Sequence, residues 1–333
     1  IITLGTSSWR IHEITRDRVI VEPAPGRSAR LPFWHGEGAG RPAETGRMRG
    51  AFLRAIAGGI EGNDAETDDG AFGVAVAVRE RLAADGLDDD AQRNLVELVR
   101  AQRAATGTIP DDKTLVVERC EDEQGDWRVL LHSPYGRRVH EPWAMAVSDR
   151  IMAIYGYDAQ AMAADDGIVL RIPMTEARLP GVELFAFDPD ELDRIVRDRV
   201  GSTSLFSARF RECAARALLM SPIAPGKRAP LWQQRLKAGQ LLEAARREHE
   251  FPILVETARE CLQDVYDMRA LHELMEQVQA GSVRLVEAQT SVPSPFAAPL
   301  LFGYVGEHLY AGDLPHAEQR ASLLSLDPTL LGE

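Results

Sequence analysis

The 333-residue sequence lacks the features of a secreted, membrane-spanning or disulfide-stabilised protein. Its three cysteines, Cys120, Cys213 and Cys261, lie far apart and lack metal-ligand spacing, which predicts buried small hydrophobic residues in a reducing cytoplasm. No apolar run approaches the roughly 20 residues of a membrane span, and the first residues show no secretion signal. We therefore expect a piece of a longer cytoplasmic polypeptide with no membrane partner.

Motifs of nucleotide-dependent and hydrolytic enzymes are also missing from the sequence. There is no G-x-x-x-x-G-K-[ST] phosphate loop, no G-x-G-x-x-G after a predicted strand, no G-x-S-x-G and no H-E-x-x-H. Asp-Asp pairs at 68–69, 111–112 and 165–166 lie beside Gly or Pro, where aspartate commonly forms turn hydrogen bonds. We expect no catalysis by this chain alone and no cofactor or metal bound to it.

Charge is distributed unevenly along the chain, although the formal net charge is −13. Residues 55–126, the acidic tract, carry 18 acidic and 7 basic residues, whereas residues 202–247 carry 9 basic and 2 acidic residues. Residues 7–54 carry 9 basic and 5 acidic residues. We expect the two basic tracts to converge on one anionic ligand and the acidic tract to face solvent or a partner.

Hydrophobic periodicity predicts an α+β fold with antiparallel sheets or hairpins, interleaved helices and a mostly helical C-terminal half. Predicted strands pair as hairpins at 9–14 with 17–22, at 114–120 with 127–132 and at 160–163 with 167–172. One more strand is predicted at 283–288. We divide the chain into residues 1–107, a hairpin and helices with a strand-contacting loop, and residues 108–333, an α+β body with basic helices.

Predicted helices fill the remaining sequence. The third one begins at the acidic residues 88–90 and stops at Gly107, because acids suit a helix N-terminus and glycine suits its C-terminal end. Trp127 and Trp143 lie in periodic apolar runs, which predicts core positions for both. The predicted helices span 42–57, 70–84, 88–105, a stretch around Trp143, 189–200, 203–220, 229–248, 252–263, 268–280 and 315–325.

The loop at 31–42 presents Phe33 and Trp34 on irregular backbone, because its prolines and glycines disfavour helix and strand. Arginines flank the loop on both sides. Aromatic rings stack on bases and arginines neutralise phosphates, so this combination is typical of single-strand binding. A plug for the domain's own core remains the alternative, since tryptophan is highly buried on average.

Two predicted helices within the second basic tract, residues 202–247, combine an apolar stripe with a basic face. Arg209 and Arg211 diverge from the apolar positions of the first helix, and Arg235 and Lys237 do so on the second. A solvated basic face is the ordinary alternative for each helix. Acidic residues are nearly absent from both helices, which favours an anionic ligand.

Several stretches of the sequence resemble the large helicase-related (Lhr) family. Within that family the chain is similar to the DEAD/H-associated accessory domain that follows two motor domains and a winged helix. The longest of these stretches spans 125–144, and the shorter ones are 9–11, 32–34, 206–212, 230–235, 259–264 and 294–296. The resemblance extends over nearly the whole chain.

The resemblance implies an ATP-dependent 3′-to-5′ helicase that moves on a DNA tracking strand, displaces DNA or RNA and takes part in DNA repair. Its ATP and magnesium would bind to motor domains outside this chain. Its partners would be single-stranded DNA, an RNA:DNA or DNA duplex, and the motor and winged-helix domains of the same polypeptide. His35 stands where the family ordinarily has a lysine, which weakens a phosphate contact there.

From the residues and the resemblance together, we predict a non-catalytic single-strand-binding segment. Trp34, and less strongly Trp9, would stack on a base. The residues predicted to hold phosphates are Arg41, Arg209, Arg211, Arg235 and Lys237. Two other functions remain open: a protein-interaction scaffold that docks a basic partner through the acidic tract, and a hydrolase or nuclease acting through the Asp pairs.

Overall fold

The computed structural model describes residues 2–4, 7–14, 19–25, 38–60, 73–122, 125–157, 159, 161–173, 179–220, 231–248 and 251–310. Its first element is a three-stranded antiparallel sheet of order β1-β2-β3. The predicted N-terminal hairpin is confirmed, since Ile11 of β2 pairs with Val21 of β3. The strands are β1 (Ile2–Leu4), β2 (Ser7–Ile14) and β3 (Val19–Pro23).

Three helices follow and bury a small core of their own. They are α1 (Ala43–Gly59), α2 (Val76–Ala84) and α3 (Asp89–Thr106). The predicted acidic start at 88–90 and the predicted stop at Gly107, where φ is 72°, are both confirmed. Asp88 also caps α3 by accepting a hydrogen bond from Ala91 N. The prediction of helix from residue 70 was wrong at 73–75, because Val74 forms a β-bridge with Ile60.

The larger sheet has five strands in the order β6-β7-β5-β4-β8. The two predicted hairpins within it are confirmed as antiparallel pairs, but β8 lies parallel to β4. Hairpin patterns do not reveal such a pairing, because Thr114 and its partner Arg284 are far apart in sequence. The strands are β4 (Thr114–Glu121), β5 (Trp127–His132), β6 (Met162–Ala164), β7 (Gly167–Ile172) and β8 (Arg284–Gln289).

Helices cover both faces of this sheet. The alternation of side chains along β4 and β5 directs Val117 and Leu131 to one face and Cys120 and Leu130 to the other. The first face packs against α4 (Arg137–Tyr155), α5 (Pro189–Val200) and α9 (Met268–Gln279), and the second against α10 (Ala297–Tyr310). Trp127 and Trp143 are buried at the first face, as predicted.

A third core joins the helices that carry the second basic tract. They are α6 (Ser204–Arg216), α7 (Leu231–Ala245) and α8 (Pro252–Arg259), which continues as a π-helical segment, Glu260–Val265. Phe206, Phe210 and Leu242 meet the buried Cys261 in this core. The predicted helix 203–220 was too long, because the chain turns at Leu218, where φ is 59°.

The remaining sequence predictions have mixed outcomes. All three cysteines are free and buried, as predicted. Helix α10 was not predicted, and the helix predicted near 315–325 lies outside the described residues. Within the described part of the chain, no helix combines the length and the apolar character that a membrane crossing needs.

Candidate nucleic-acid interface

The loop with Trp34 falls partly outside the described residues, so the predicted role of Trp34 stays a prediction. The described end of the loop, residues 38–42, leads directly into α1. Gly40 lies against α4, because a Cβ atom built there would meet Arg137 Cβ at 3.1 Å and Asp165 Oδ1 at 3.3 Å. The structure thus places the base of the loop beside the first turn of α4.

Trp9 lies on β2, half-exposed, and shares one face of the small sheet with Ile11 and Val21. The opposite face carries an ion pair between Arg10 and Glu22, with 3.3 Å between Arg10 Nη1 and Glu22 Oε1. Trp9 is therefore accessible to a ligand on one side of the sheet, and its predicted stacking stays a prediction.

Helices α6 and α7 form a cleft that contains two of the predicted phosphate-binding residues. Arg211 of α6 and Arg235 of α7 both line this cleft, whose volume is about 880 Å³. Arg137 of α4 also lines it, with its Nε 2.6 Å from Glu141 Oε1. Sequence reasoning missed Arg137, although it lies within the stretch 125–144 that carries the family resemblance.

The N-terminal turn of α6 forms another part of the cleft wall through Ser204 and Ser207. Thr203 caps this helix, since its Oγ1 accepts a hydrogen bond from Phe206 N at 3.1 Å. Unpaired N–H groups and the helix dipole make such an end attractive to anions. The cleft therefore combines guanidinium groups, hydroxyl groups and a positive helix end with one carboxylate, Glu141, which pairs with Arg137.

The other two predicted bases of these helices lie elsewhere. Arg209 Nη1 is 2.7 Å from Glu212 Oε2, and its charge also acts on buried Cys261, whose pKa burial raises to about 12. Lys237 is exposed on α7 and, among the described residues, does not line the cleft. The structure thus brings Arg211 and Arg235 to one cleft that Arg209 and Lys237 do not line. Arg211 also lies 4.0 Å from Glu212 Oε1.

Arg41 points into the protein. Its Nη1 donates to Asp166 Oδ1 at 2.8 Å and to Asp165 O at 3.1 Å, and its side chain is 20% exposed. Arg49 of α1 also pairs with Asp166. Farther along α1, Arg54 holds Asp112 with two hydrogen bonds of 2.8 and 3.1 Å. These arginines dock α1 onto the body rather than facing a common ligand with α6 and α7.

The described Asp pairs occupy turns, as predicted, and in addition bind arginines. Asp111 Oδ1 accepts hydrogen bonds from Lys113 N and Thr114 N, both 2.7 Å. Burial acts to raise the pKa of Asp165, but hydrogen bonds from two backbone N–H groups outweigh it and hold that pKa below its usual value. The pair at 68–69 lies outside the described residues, and the described remainder contains no three-residue metal-ligand group.

Part of the acidic tract is neutralised inside the protein, at residues 111–126, whereas the acidic side chains of α2 and α3 are exposed. Glu118 is fully buried and accepts hydrogen bonds from His132, Thr290 and Ser294. Burial acts to raise the pKa of Glu118, but the hydrogen bond and charge of His132 outweigh it and lower that pKa. The other internal partners are Asp112 with Arg54, and Asp122 and Asp126 with Arg171.

Comparison with known proteins adds a family to this geometry. Residues 109–297 match the family described as DEAD/H associated. The chain is similar to the "Lhr helicase/uracil glycosylase" of Escherichia coli K12, with 56% identity over 99% of this chain and 20% of that protein. It is 54% identical to the "Lhr helicase/ probable uracil glycosylase" of Mycolicibacterium smegmatis, over 100% of this chain and 21% of that protein.

A solved structure matches the fold as well. The "Structure of Mycobacterium smegmatis helicase Lhr bound to ssDNA and AMP-PNP" superposes with a TM-score of 0.71 and 51% identity, over 84% of this chain and 34% of that chain. The chain spans about a fifth of the length of the two bacterial relatives it matches.

Proposed function

The chain belongs to the Lhr helicase family and carries its DEAD/H-associated domain, and from this membership we propose that it binds the tracking strand of single-stranded DNA during unwinding. A motor elsewhere in the longer polypeptide would move 3′-to-5′, driven by ATP and magnesium bound to that motor. This segment would hold the strand and couple each step to separation of a DNA or RNA:DNA duplex.

The cleft between α6 and α7 is the observation that carries the proposal. Arg211 and Arg235 come from separate helices and line the same 880 Å³ space, which also receives the positive end of α6. Arginine side chains and helix N-termini are the groups that proteins use to bind phosphates. The similarity to a helicase structure with bound single-stranded DNA supports the same ligand.

The loop with Trp34 supplies the second half of the proposed contact. Gly40, at its described end, adjoins Arg137, which lines the cleft. In this proposal residues 1–107 present Trp34 for stacking on a base, and residues 108–333 present the cleft for the phosphates. Arg41 serves to dock the loop, because protein oxygens accept the hydrogen bonds of its guanidinium group.

Replacing both cleft arginines tests the phosphate contact. In the full-length polypeptide, Arg211→Ala with Arg235→Ala should weaken binding of a fluorescent oligo-dT strand. The slope of log affinity against log salt should flatten by about 0.7 for each phosphate that the variant no longer neutralises. Fluorescence anisotropy between 50 and 300 mM salt, about the range in which such slopes are clear, measures both quantities.

Arg269→Ala is the matched control, because Arg269 of α9 is 90% exposed and pairs with Glu273 away from the cleft. Its affinity and salt slope should equal those of the wild type. Equal slopes for the cleft variant and the wild type would remove the cleft from the proposed mechanism.

Replacing Trp34 tests the stacking contact. Loss of one stacked base costs about 1–3 kcal/mol, so Trp34→Ala should weaken strand binding or uncouple ATP hydrolysis from unwinding. Trp34→Phe keeps an aromatic ring and should retain most of the function. Unwinding by Trp34→Ala at the wild-type rate per ATP would exclude a role for this residue.

A further inference from the structure

Three separate segments of the chain meet at the turn between β6 and β7. They are the end of the Trp34 loop at 38–41, the segment at 134–137 that begins α4, and the turn residues Asp165 and Asp166. Neither the local hydrogen bonds of a turn nor the proposed strand contact requires such a junction. The hydrogen bonds and close contacts at this junction show which segments of the chain the turn holds together.

Asp165 binds the backbone of both neighbouring segments with one oxygen atom. Its Oδ1 accepts a hydrogen bond from Arg41 N at 2.7 Å and another from Arg137 N at 3.0 Å. Asp166 holds the side chains, since its Oδ1 lies 2.8 Å from Arg41 Nη1 and also pairs with Arg49. The two aspartates therefore tie the end of the loop to the start of α4.

Close backbone packing makes this junction tight. Gly136 has a φ of +91°, and a Cβ atom placed there would lie 2.1 Å from Arg41 O. Gly40, with a φ of +71°, faces Arg137 and Asp165 from the other side. A side chain at Gly136 would collide with the Arg41 backbone, so the loop end and the start of α4 touch there through their backbones. At Gly40 the positive φ disfavours other residues, and its neighbours are side-chain atoms.

A buried histidine, His140, holds the turn between β6 and β7 in place through hydrogen bonds. His140 is fully buried, with its Nδ1 2.6 Å from Ala164 O and its Nε2 2.7 Å from Ser133 Oγ. Burial lowers the pKa of His140 to about 4, so the ring is neutral near pH 7, and its Nδ1–H donates to the carbonyl. The turn is thus held in one position relative to α4.

We propose that Asp165 and Asp166 form a latch that holds residues 38–41, the described end of the loop, against the start of α4, so that stacking by Trp34 and the phosphate contacts of the cleft act on the same strand. This inference rests on the proposed function. Asp165 and Asp166 are positioning residues that touch no nucleic acid. Their effect on binding passes through the loop on one side and through Arg137 on the other.

The latch is tested by combining its loss with loss of Trp34 in the full-length polypeptide. Asp165→Ala leaves two backbone N–H groups without their acceptor and should weaken oligo-dT binding about tenfold, within the range for the loss of one stacked base. In a Trp34→Ala background the same substitution should change binding less than about twofold, because the loop then has no ring to position. Asp165→Asn keeps an oxygen acceptor and should restore most of the affinity.

Asp88→Ala is the matched control. Asp88 also accepts a backbone hydrogen bond, from Ala91 N at 2.8 Å, but it caps α3 instead of joining the loop to α4. This variant should bind oligo-dT like the wild type. Hydrogen–deuterium exchange should increase at residues 38–42 in Asp165→Ala and in the second latch variant, Asp166→Asn, but not in the control.

Two results would overturn the latch. One is an equal loss of affinity from Asp165→Ala with and without Trp34, which would mean that Asp165 acts apart from the loop. The other is unchanged hydrogen exchange at residues 38–42. If Trp34→Ala and the double cleft variant both bind like the wild type, the proposed function itself fails, a result distinct from failure of the latch alone.

Discussion

The acidic tract and the basic helices α6 and α7 have opposite charge, but they differ more in what their charges contact. Inside the tract, Glu118 is fully buried, and Asp122 and Asp126 share Arg171. On α7, by contrast, Arg235 and Lys237 are exposed and have no ion-pair or hydrogen-bond partner among the described residues. Part of the tract's negative charge is therefore internal and part, on α2 and α3, is exposed, whereas α7 presents positive charge that the described residues do not pair.

This difference bears directly on the scaffold hypothesis. A basic partner would need acidic side chains at the surface, but the described acids of the tract at 111–126 include several that already bind arginine or histidine. In the cleft, Arg235 has no such partner within the described part of the chain. A basic partner would therefore have to bind the exposed acids of α2 and α3, whereas Arg235 offers an unpaired positive charge in the cleft to an anionic ligand.

The largest expected effect comes from removing the buried acid. Glu118→Ala would leave His132, Thr290 and Ser294 without their shared acceptor, and breaking a buried pair of this kind costs about 3–5 kcal/mol. The free energy of unfolding, measured with urea, should fall by that amount. Glu121→Ala, at the exposed end of the same strand, should change it by less than about 0.5 kcal/mol. An equal loss of stability in the two variants would mean that the buried and exposed acids of the tract contribute equally to the free energy of unfolding.

The next largest effect is expected on the pH dependence of stability, and it comes from the buried His140. Burial lowers the pKa of His140 from 6.5 to about 4, so between these values the unfolded chain binds a proton that the folded chain does not. Stability should therefore decrease as pH falls from about 6.5 to about 4, by about 3 kcal/mol in total from this group. Urea unfolding across this range should show a shallower pH dependence for His140→Gln. An unchanged dependence would contradict the assignment.

The smallest expected effect on the free energy of unfolding comes from replacing one exposed lysine in the acidic tract or one on α7. The two variants should nevertheless differ in nucleic-acid binding. Lys113 and Lys237 are both exposed lysines, one in the acidic tract and one on α7. Neither Lys113→Ala nor Lys237→Ala should change the free energy of unfolding by more than about 0.5 kcal/mol. Only Lys237→Ala should reduce the salt slope of oligo-dT binding, by about 0.7 if the strand extends beyond the cleft along α7 and places one phosphate against Lys237. Equal slopes for the two variants would show that the regions do not differ toward nucleic acid.

Local chemistry predicted much of the fold. The start of α3 at the acidic residues 88–90, its stop at Gly107 and the hairpin pairs all depend on neighbouring residues, and the structure confirms each of them. The parallel pairing of β8 with β4 was missed because it depends on contacts between distant segments. The end of α6 at Arg216 was missed because no glycine marks the turn that follows at Leu218.

The candidate site was predictable in its charges and less so in its geometry. A nearly acid-free pair of basic helices indicated Arg211 and Arg235, and the structure places both on one cleft. The inward direction of Arg41 was not visible, because its partners Asp165 and Asp166 follow more than 120 residues later. Charge patterns identify candidate phosphate-binding residues. They do not show which of the arginines and lysines already pair with the protein's own carboxylates.

The parallel pairing of β4 with β8 also determines when the larger sheet can be completed during synthesis of the chain. Strand β4 pairs with β8 about 170 residues later, so at about 5–20 residues per second the ribosome needs on the order of 10–30 s to deliver the missing neighbour. Until then one edge of β4 has unpaired N–H and C=O groups, a template for pairing with other chains. The nascent protein therefore passes through a period of aggregation risk, and helices α4 to α9 are made within that period.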